Sequence, residues 1–418
     1  MKNRILVGIL LSCIILSACT SSVPNKSLDL MRDIKKGNVT PVKIEDLKKE
    51  DLNRSRNITD FSLDLFRESF EMENILISPL SIASALTMTA NGAKDNTLSQ
   101  MEKVLHSDIK ELNDYLMGYR IYLPSDEKYK VSLANAIWFR DDERLKVNED
   151  FLQINKDYFD AGVYKAPFDE STMNDMNAWV KDKTDSMIED ILKEAPPKDA
   201  VMYLVNALSF DAEWENIYEE TQVYDGEFIT ESGDKKATKF MRSSEYSYLE
   251  NDLATGFIKP YSDNKYAFVA LLPNKGVTMK DFVDSLNAKT LAELMEDEKD
   301  YTVNAVTPKF TVEYEALLND PLKNMGMTDA FSDHDANFSG LGISSRGNIF
   351  IGRVIHKTKI SVDEKGTKAG AVTAVEMKDE AAMEIEYREV VLDRPFFYMI
   401  IDTEEKLPLF MGSLMDID

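Results

Sequence analysis

Asp363-Glu364-Lys365-Gly366-Thr367-Lys368-Ala369-Gly370-Ala371-Val372-Thr373-Ala374-Val375-Glu376-Met377-Lys378-Asp379-Glu380-Ala381-Ala382 decides how the chain is read. It lies between two strand-like blocks, one ending at Ile360 to Val362 and the next beginning at Pro395. About thirty residues separate the blocks, far more than an ordinary connection, and loops of that length are usually functional or disordered. The stretch is not low-complexity linker, because its residues alternate. Thr367, Ala369, Ala371, Thr373, Val375 and Met377 are small or apolar, whereas Lys368, Gly370, Val372, Ala374, Glu376 and Lys378 are more polar on balance. A strand buried on one face has that period. Two readings stay open from the residues alone: an edge strand with a long return, or a segment able to exist both as exposed loop and as inserted strand.

Outward from this stretch, the pattern predicts α+β. Phe61, Leu63, Leu65, Phe66 and Phe70 mark an amphipathic helix, and Asn74 to Ile77 a short strand. Ser78-Pro79 reads as a helix N-cap followed by proline at the first helical position. That helix runs through Ile82, Ala85 and Leu86 and stops at Asn91-Gly92. The next is expected to begin at Thr97, with Gln100 in capping-box spacing. A longer helix is expected over 174–193. Apolar strand-like runs follow at 202–210, 266–272, 310–314, 396–401 and 407–411, several without alternation, as in strands covered on both faces. Helices lead and strands follow, which argues against alternating βαβ units. There is no internal repeat or linker.

The 418 residues carry 49 Lys and Arg against 74 Asp and Glu, 49 − 74 = −25, with 44% apolar residues. That apolar share suits a globular core, and ~150 residues per domain is only a soft guide, so one large domain fits. The acidic balance argues against nucleic acid as partner, which needs a basic face. Two cysteines exclude a disulfide scaffold or a Cys-rich zinc site.

Lys2 and Arg4 precede an apolar run, Ile5 to Leu16, too short for a comfortable membrane span and suited to a secretory signal. It ends in Leu16-Ser17-Ala18-Cys19, which resembles a bacterial lipobox with Cys19 as the lipidated first mature residue. The expected organisation is a signal peptide at 1–18, a lipidated tether at 19–56 and one domain at 57–418. The polar tether, broken by Pro24, Gly37 and Pro41, is expected to be a solvated linker with at most a short helix. Removing Lys2 and Arg4 leaves 47 − 74 = −27 and no free thiol. An extracytoplasmic monomer, held to the bacterial membrane or envelope surface through Cys19, follows as the expectation.

No Gly-x-Ser-x-Gly elbow, His-Glu-x-x-His helix, phosphate loop or dinucleotide fingerprint is present. His106 reads as a surface residue, His334 as part of a solvated loop and His356 as a hydrogen-bonded core histidine. Catalysis, a metal and a cofactor are therefore not expected.

From about Ile58 to Asp418 the chain resembles the serpin family, its motifs in order and without large insertion. Asn74 to Ile82 is similar to the segment beneath the opening of the family's main sheet. Leu204-Val205-Asn206-Ala207 with Trp214 resembles its central strand, and Asn177-Ala178-Trp179-Val180 with Thr184 the helix across that sheet. Pro308-Lys309-Phe310, Gly326 to Phe331 and Ile355-His356-Lys357 match further signatures. Asp393 to Phe397 and Pro408 to Gly412 match the closing strand pair.

The resemblance implies a serpin fold: a large mixed central β-sheet, smaller sheets, about nine helices and an exposed reactive-centre loop. It also implies a suicide inhibitor of serine, and in some members cysteine, proteases. The target cleaves the loop and forms an acyl-enzyme, and the loop inserts into the main sheet. About ten ladder hydrogen bonds at ~1 kcal/mol each would contribute, with burial of Val375 and Met377 adding at ~25 cal/mol per Å². Glu364-Lys365-Gly366-Thr367 followed by Ala369, Gly370, Ala371 and Val372 resembles the hinge of inhibitory members. Lys368 departs from a position commonly acidic, and Val372 from one commonly alanine; both belong to the outward set. Ser78, Pro79, Ser81, Asn206, Trp214 and His356 are expected around the opening of the sheet. The family's customary spacing from Gly366 puts the scissile bond at Glu380-Ala381. Met377, Lys378 and Met383 are alternatives in a shifted register. A non-inhibitory serpin, acting as a binding or scaffolding surface lipoprotein, is the second reading.

Overall fold

The computed structural model describes residues 27–41, 53–123, 128–197, 200–297, 299–345, 347–367 and 387–417. Nine α-helices lie among the described residues, together with two large mixed sheets and a two-stranded one. The fold is α+β, as expected.

The main sheet has seven strands: β1 (Leu28–Asp29), β2 (Tyr129–Arg140), β3 (Gly162–Ala166), β4 (Met202–Glu213), β5 (Phe310–Leu317), β6 (Arg353–Val362) and β7 (Gly366–Thr367). Their spatial order is β1-β3-β2-β4-β7-β6-β5. β4 is buried over nearly its whole length, as its apolar run without alternation requires, because both of its faces are covered. One face packs on the large hydrophobic core through Leu204, Leu208 and Phe210. The other, through Tyr203, Val205 and Ala207, packs against Met176 and Val180.

A nine-stranded second sheet runs in the order Tyr387–Val391, Lys299–Pro308, Lys235–Glu250, Ala254–Pro260, Tyr266–Pro273, Phe396–Asp402, Pro408–Leu414, Ile75–Ile77, with Val223–Ile229 paired to Lys235–Glu250. The four helices that follow the N-terminal segment are α1 (Asn53–Ser69), α2 (Pro79–Ala90), α3 (Asp95–Val104) and α4 (Ile109–Tyr122). Every residue of α2 is buried. It passes beneath the main sheet and touches β2 and β4 as well as Pro408–Leu414. The turn of α5 (Glu149–Ile154) continues through a π-helical Asn155–Phe159, and α6 (Glu170–Lys183) crosses the outer face of the sheet.

Three local expectations change. The helix expected to reach Lys193 ends at Lys183, because Asp185 and Ser186 adopt positive φ. Met187, Ile188 and Ile191 still reach the core, held by Asn177, whose Oδ1 accepts from the N–H groups of Ile191 (2.8 Å) and Leu192 (2.9 Å). Thr97 and Gln100 form no capping box, because α3 starts at Asp95. Thr97 Oγ1 accepts instead from Asn337 N, and Gln100 Nε2 donates to Asp329.

The third change concerns the expected linker. Residues 28–29 pair with β3 in the main sheet, Leu28 opposite Lys165 and Asp29 opposite Tyr164. Ser27 donates to Asp175, Met31 is buried, and Gly37 N donates to Asp157 Oδ1 at 2.6 Å. A Cβ at Gly37 would stand 2.7 Å from that carboxylate, which would have to shift to admit one. Short apolar contacts in a polar segment carry too little periodicity to be seen in sequence.

Candidate functional site: the hinge and the seam it enters

The site is built on one irregularity of the main sheet. β4 and β6 run parallel and pair directly from Tyr203↔Arg353 to Ala207↔Lys357. Further along, the two-residue β7 lies between them, antiparallel to both, with Gly366↔Glu213, Thr367↔Ala212 and Thr367↔Val362. Between these ends, 208–211 of β4 and 358–361 of β6 have no ladder partner facing each other. The sheet is zipped below, wedged open above, and unpaired in the middle.

At the upper end, the turn leading into β7 is closed by Asp363, whose N–H donates to Gly366 O at 3.0 Å and whose Oδ1 accepts from Lys365 N at 2.8 Å. Trp214 holds the same turn, its N–H donating to Lys365 O (2.8 Å) and its indole Nε1 to Asp363 O (2.9 Å). Its ring stacks on Tyr261, centroids 4.4 Å apart. Tyr218 N adds a bond to Glu364 O. A Cβ at Gly366 would come within 2.0 Å of Ala212 O, so only glycine lets the hinge approach β4. Thr367 is fully buried, with its hydroxyl 2.6 Å from that of Tyr261.

Glu364 makes a two-pronged contact with Lys309 Nζ, both oxygens at 2.7 Å. Burial alone would raise the Glu364 carboxyl; the Lys309 ammonium outweighs it and holds the group below the usual range. Beneath the turn, Lys259 and Glu245 form a buried pair at 2.8 Å, with the Lys259 ammonium 4.5 Å from the centre of the Tyr218 ring.

The lower end is different in kind. His356 is wholly buried between β4 and α2. Ser78 N donates to its Nε2 at 3.1 Å, which leaves Nδ1 to carry the proton toward Asn206 Oδ1 at 2.6 Å. Asn206 Nδ2 donates to Ile355 O, and Ser81 Oγ donates weakly to Asn206 Oδ1 at 3.4 Å. Burial pushes the His356 imidazole down to about 3, so it is neutral at ordinary pH. One residue on, the buried Lys357 donates to Asp190 (2.6 Å) and Glu313 (3.1 Å) from the α6 side of the sheet. Burial would depress its ammonium, but those carboxylates raise it.

The six residues expected around the opening of the sheet thus form two groups. Ser78, Ser81, Asn206 and His356 meet, with Pro79 heading α2. Trp214 stands eight residues beyond Asn206, just past the end of β4 and about 27 Å away at strand rise, where it bonds to Lys365 and Asp363 of the turn that leads into Gly366 and Thr367. Ser78 occupies the N-cap position, but its hydroxyl makes no cap bond; its N–H serves the histidine instead. Ala369, Gly370, Ala371, Val372, Met377, Lys378, Glu380, Ala381, Met383 and Cys19 lie outside the described residues. Tyr261, the Lys259–Glu245 pair and the carboxylates around Lys357 carry no signal in one sequence. Lys309 was visible as part of a motif, without its role as partner of Glu364. Among the described residues no group of three His, Cys, Asp or Glu side chains is placed to hold a metal, and no helix is long and apolar enough to cross a membrane.

The family model described as serpin (serine protease inhibitor) matches residues 56–417. The chain is 30% identical over 370 residues to an uncharacterized serpin-like protein of Thermococcus kodakarensis, covering 86% of this chain and 84% of that one. It is 30% identical over 380 residues to neuroserpin of Homo sapiens, covering 86% and 90%. The solved native state of the thermophilic serpin tengpin is 44% identical and superimposes with a TM-score of 0.88, over 94% of this chain and all of that one. The latent state of tengpin superimposes less well, at 0.77 over 92% of this chain and all of that one, at 42% identity. A match of this length and identity makes the chain a member of the serpin family, whose proteins are in general inhibitors of proteases rather than enzymes.

Proposed function

We propose that the chain is a suicide inhibitor of serine endopeptidases, and that cleavage of the 368–386 segment drives its N-terminal part into the seam between β4 and β6. The observation that carries this reading is β7, an antiparallel pair of residues already lying between two parallel strands. An antiparallel insert is the one arrangement in which a segment leaving the top of β6 can fold back and bond to both neighbours.

The register makes the proposal specific. Thr367 opposes Ala212 and Val362. Continued downward, Ala369 falls beside Phe210 and Ile360, Ala371 beside Leu208 and Thr358, and Thr373 beside Asn206 and His356. The residues on the core side are then the small and apolar half of the alternation. Val372 to Glu376 would replace the five direct β4–β6 pairs. Lys368 and Val372 fall on the opposite face, so neither departure from the family pattern obstructs the core.

Glu380-Ala381 is the proposed scissile bond, which favours a protease that prefers glutamate. The lipobox supports carriage on a bacterial membrane or envelope surface by lipid on Cys19; replacing Cys19 with alanine would then abolish incorporation of labelled fatty acid into the protein.

The test of inhibition is to incubate the chain with a panel of serine and cysteine proteases. A covalent complex stable in SDS, a released C-terminal peptide beginning at Ala381 and a large rise in melting temperature are expected. Clean cleavage near Glu380 without complex or stabilisation, across the panel, would leave a non-inhibitory binding protein.

A further inference from the structure

A cavity of about 730 Å³ lies at the opposite edge of the main sheet, away from the seam. It exists because two neighbouring strands differ in length. β2 pairs with β4 from Tyr129 onward, but β3 joins its other side only at Ala136↔Gly162. Lys130 to Asn135 therefore have no strand beside them on that side among the described residues. In a strand paired on one side only, alternate residues turn N–H and C=O groups toward the open side. The end of α4, the turn after β1 and the C-terminal part of α6 wall the opening, which reaches both faces of the sheet.

Two unsatisfied polar groups line it. Arg120, near the end of α4, has Nε and Nη2 shut off from water without an acceptor. Burial lowers its pKa, and Asp160 is the charge that opposes the shift; that carboxylate is already bonded to Lys156 at 2.8 Å. Lys130 and Lys183 at the same cavity have partners in Asp185 and Asp182, so the guanidinium is the cation left over among these. Asn135, 8% exposed, has its Oδ1 buried with no donor. Buried groups of both kinds are normally paired, and leaving them bare costs on the order of 1–3 kcal/mol each. Phe159 and Leu133 supply apolar wall between them.

We propose that this cavity binds a small organic carboxylate that carries an amide of its own, the chemistry of a short peptide or an N-acylated amino acid. Arg120 takes the carboxylate, and Asn135 accepts from the amide N–H. The bare edge of β2 offers a strand's complement of hydrogen bonds to the ligand backbone. A guanidinium suits a planar carboxylate better than an ammonium does, because its donors form a fork.

N-acetyl-L-leucine and its uncharged counterpart N-acetyl-L-leucinamide are titrated into the full chain by calorimetry, with the fluorescence of Trp179, which lines the cavity, as a second readout. Saturable binding of the acid is expected, weaker by about tenfold or more for the amide. R120M should abolish it without lowering the melting temperature, since an unpaired buried charge is removed. N135A should weaken the acid and the amide alike. R120K keeps the charge but loses the fork and should bind several-fold more weakly, which covers the case of R120M failing to fold. No saturation up to about 10 mM, equal binding of acid and amide, or undiminished binding to both Arg120 variants overturns the proposal.

Discussion

The two ends of the β4–β6 seam hold the same pair of strands by opposite means. The upper end is closed by an ion pair one-third exposed, Glu364 with Lys309, and by a tryptophan bonded to a turn. The lower end is closed by neutral hydrogen bonds in a fully buried setting, His356 with Ser78 and Asn206. Exposed ion pairs are weak and easily exchanged, at ~0–1 kcal/mol, whereas a buried donor left without a partner costs ~1–3 kcal/mol. The seam is therefore easy to disturb where the hinge enters and costly to disturb where the strands part last. That gradient suits a segment that must insert from the top downward.

Thr367 should break the comparison most completely. It is buried, tied to Tyr261, and is the residue next to the loop. Replacing it with arginine puts a charge where none is compensated, at several kcal/mol. Inhibition should give way to plain cleavage, the ratio of covalent complex to cut product falling by about tenfold or more on a denaturing gel. An unchanged ratio would mean that inhibition does not require the loop to follow Thr367 down the seam.

At the lower end, His356→Ala removes the acceptor for Ser78 N and the donor to Asn206, and should cost about 2–4 kcal/mol in denaturant unfolding. The pH dependence has a definite sign. The folded imidazole titrates at about 3, below its ordinary 6.5, so the unfolded chain binds the proton first. The contribution is whole above about 6.5 and is lost as pH falls toward about 3, by at most ~1.4 kcal/mol per pH unit. The alanine variant should have a flatter stability profile between those limits; an unaltered slope would exclude His356 as its source.

The upper ion pair should matter less. Lys309→Met is expected to destabilise by about 1 kcal/mol or less once solvent screening is allowed for, with the difference from wild type shrinking in high salt. Because the Glu364 carboxyl titrates below its ordinary value, this contribution is present above about 4.5 and fades as pH falls. A loss as large as that of the His356 variant would remove the contrast between the ends.

The smallest effect belongs outside the seam. His106 Nε2 lies 2.8 Å from Asp64, both partly exposed. The hydrogen bond to Asp64 raises His106, so its share of stability is present below about 6.5 and is lost as pH rises through the folded value. Asp64→Asn should cost no more than a few tenths of a kcal/mol after screening; the His106 share of that loss appears only below neutral pH, whereas the share from Arg67, whose Nη1 lies 2.9 Å from the same carboxylate, does not vary there.

Much of this was legible in sequence, for a physical reason. The alternation after Thr367 and the small residues of the hinge are strictly local patterns, and so are the unbroken apolar runs at 202–210 and 396–401. His356 could be read as a core histidine because apolar residues precede it. What stayed hidden depends on residues distant in the chain. Tyr261 meets Thr367 across 106 positions, and Lys357 meets Asp190 across 167. The helix end at Lys183 was missed because apolar periodicity continues beyond it, carried by a chain that no longer coils but still packs. Gln100 looked like a cap because spacing alone does not say that Asp329 is nearer.

The docking of residues 27–37 on β3 and its surroundings alters the mechanics of the proposed anchor. A lipid on Cys19 would be followed by seven residues, not thirty-seven, before the chain is fastened at Ser27. Fully extended, the eight residue steps from Cys19 to Ser27 span at most about 28 Å. Such an inhibitor would work within a shallow layer above its own membrane, meeting proteases that come to the surface rather than sweeping a wide volume, and its orientation there would be set by the edge of the sheet that holds the leash.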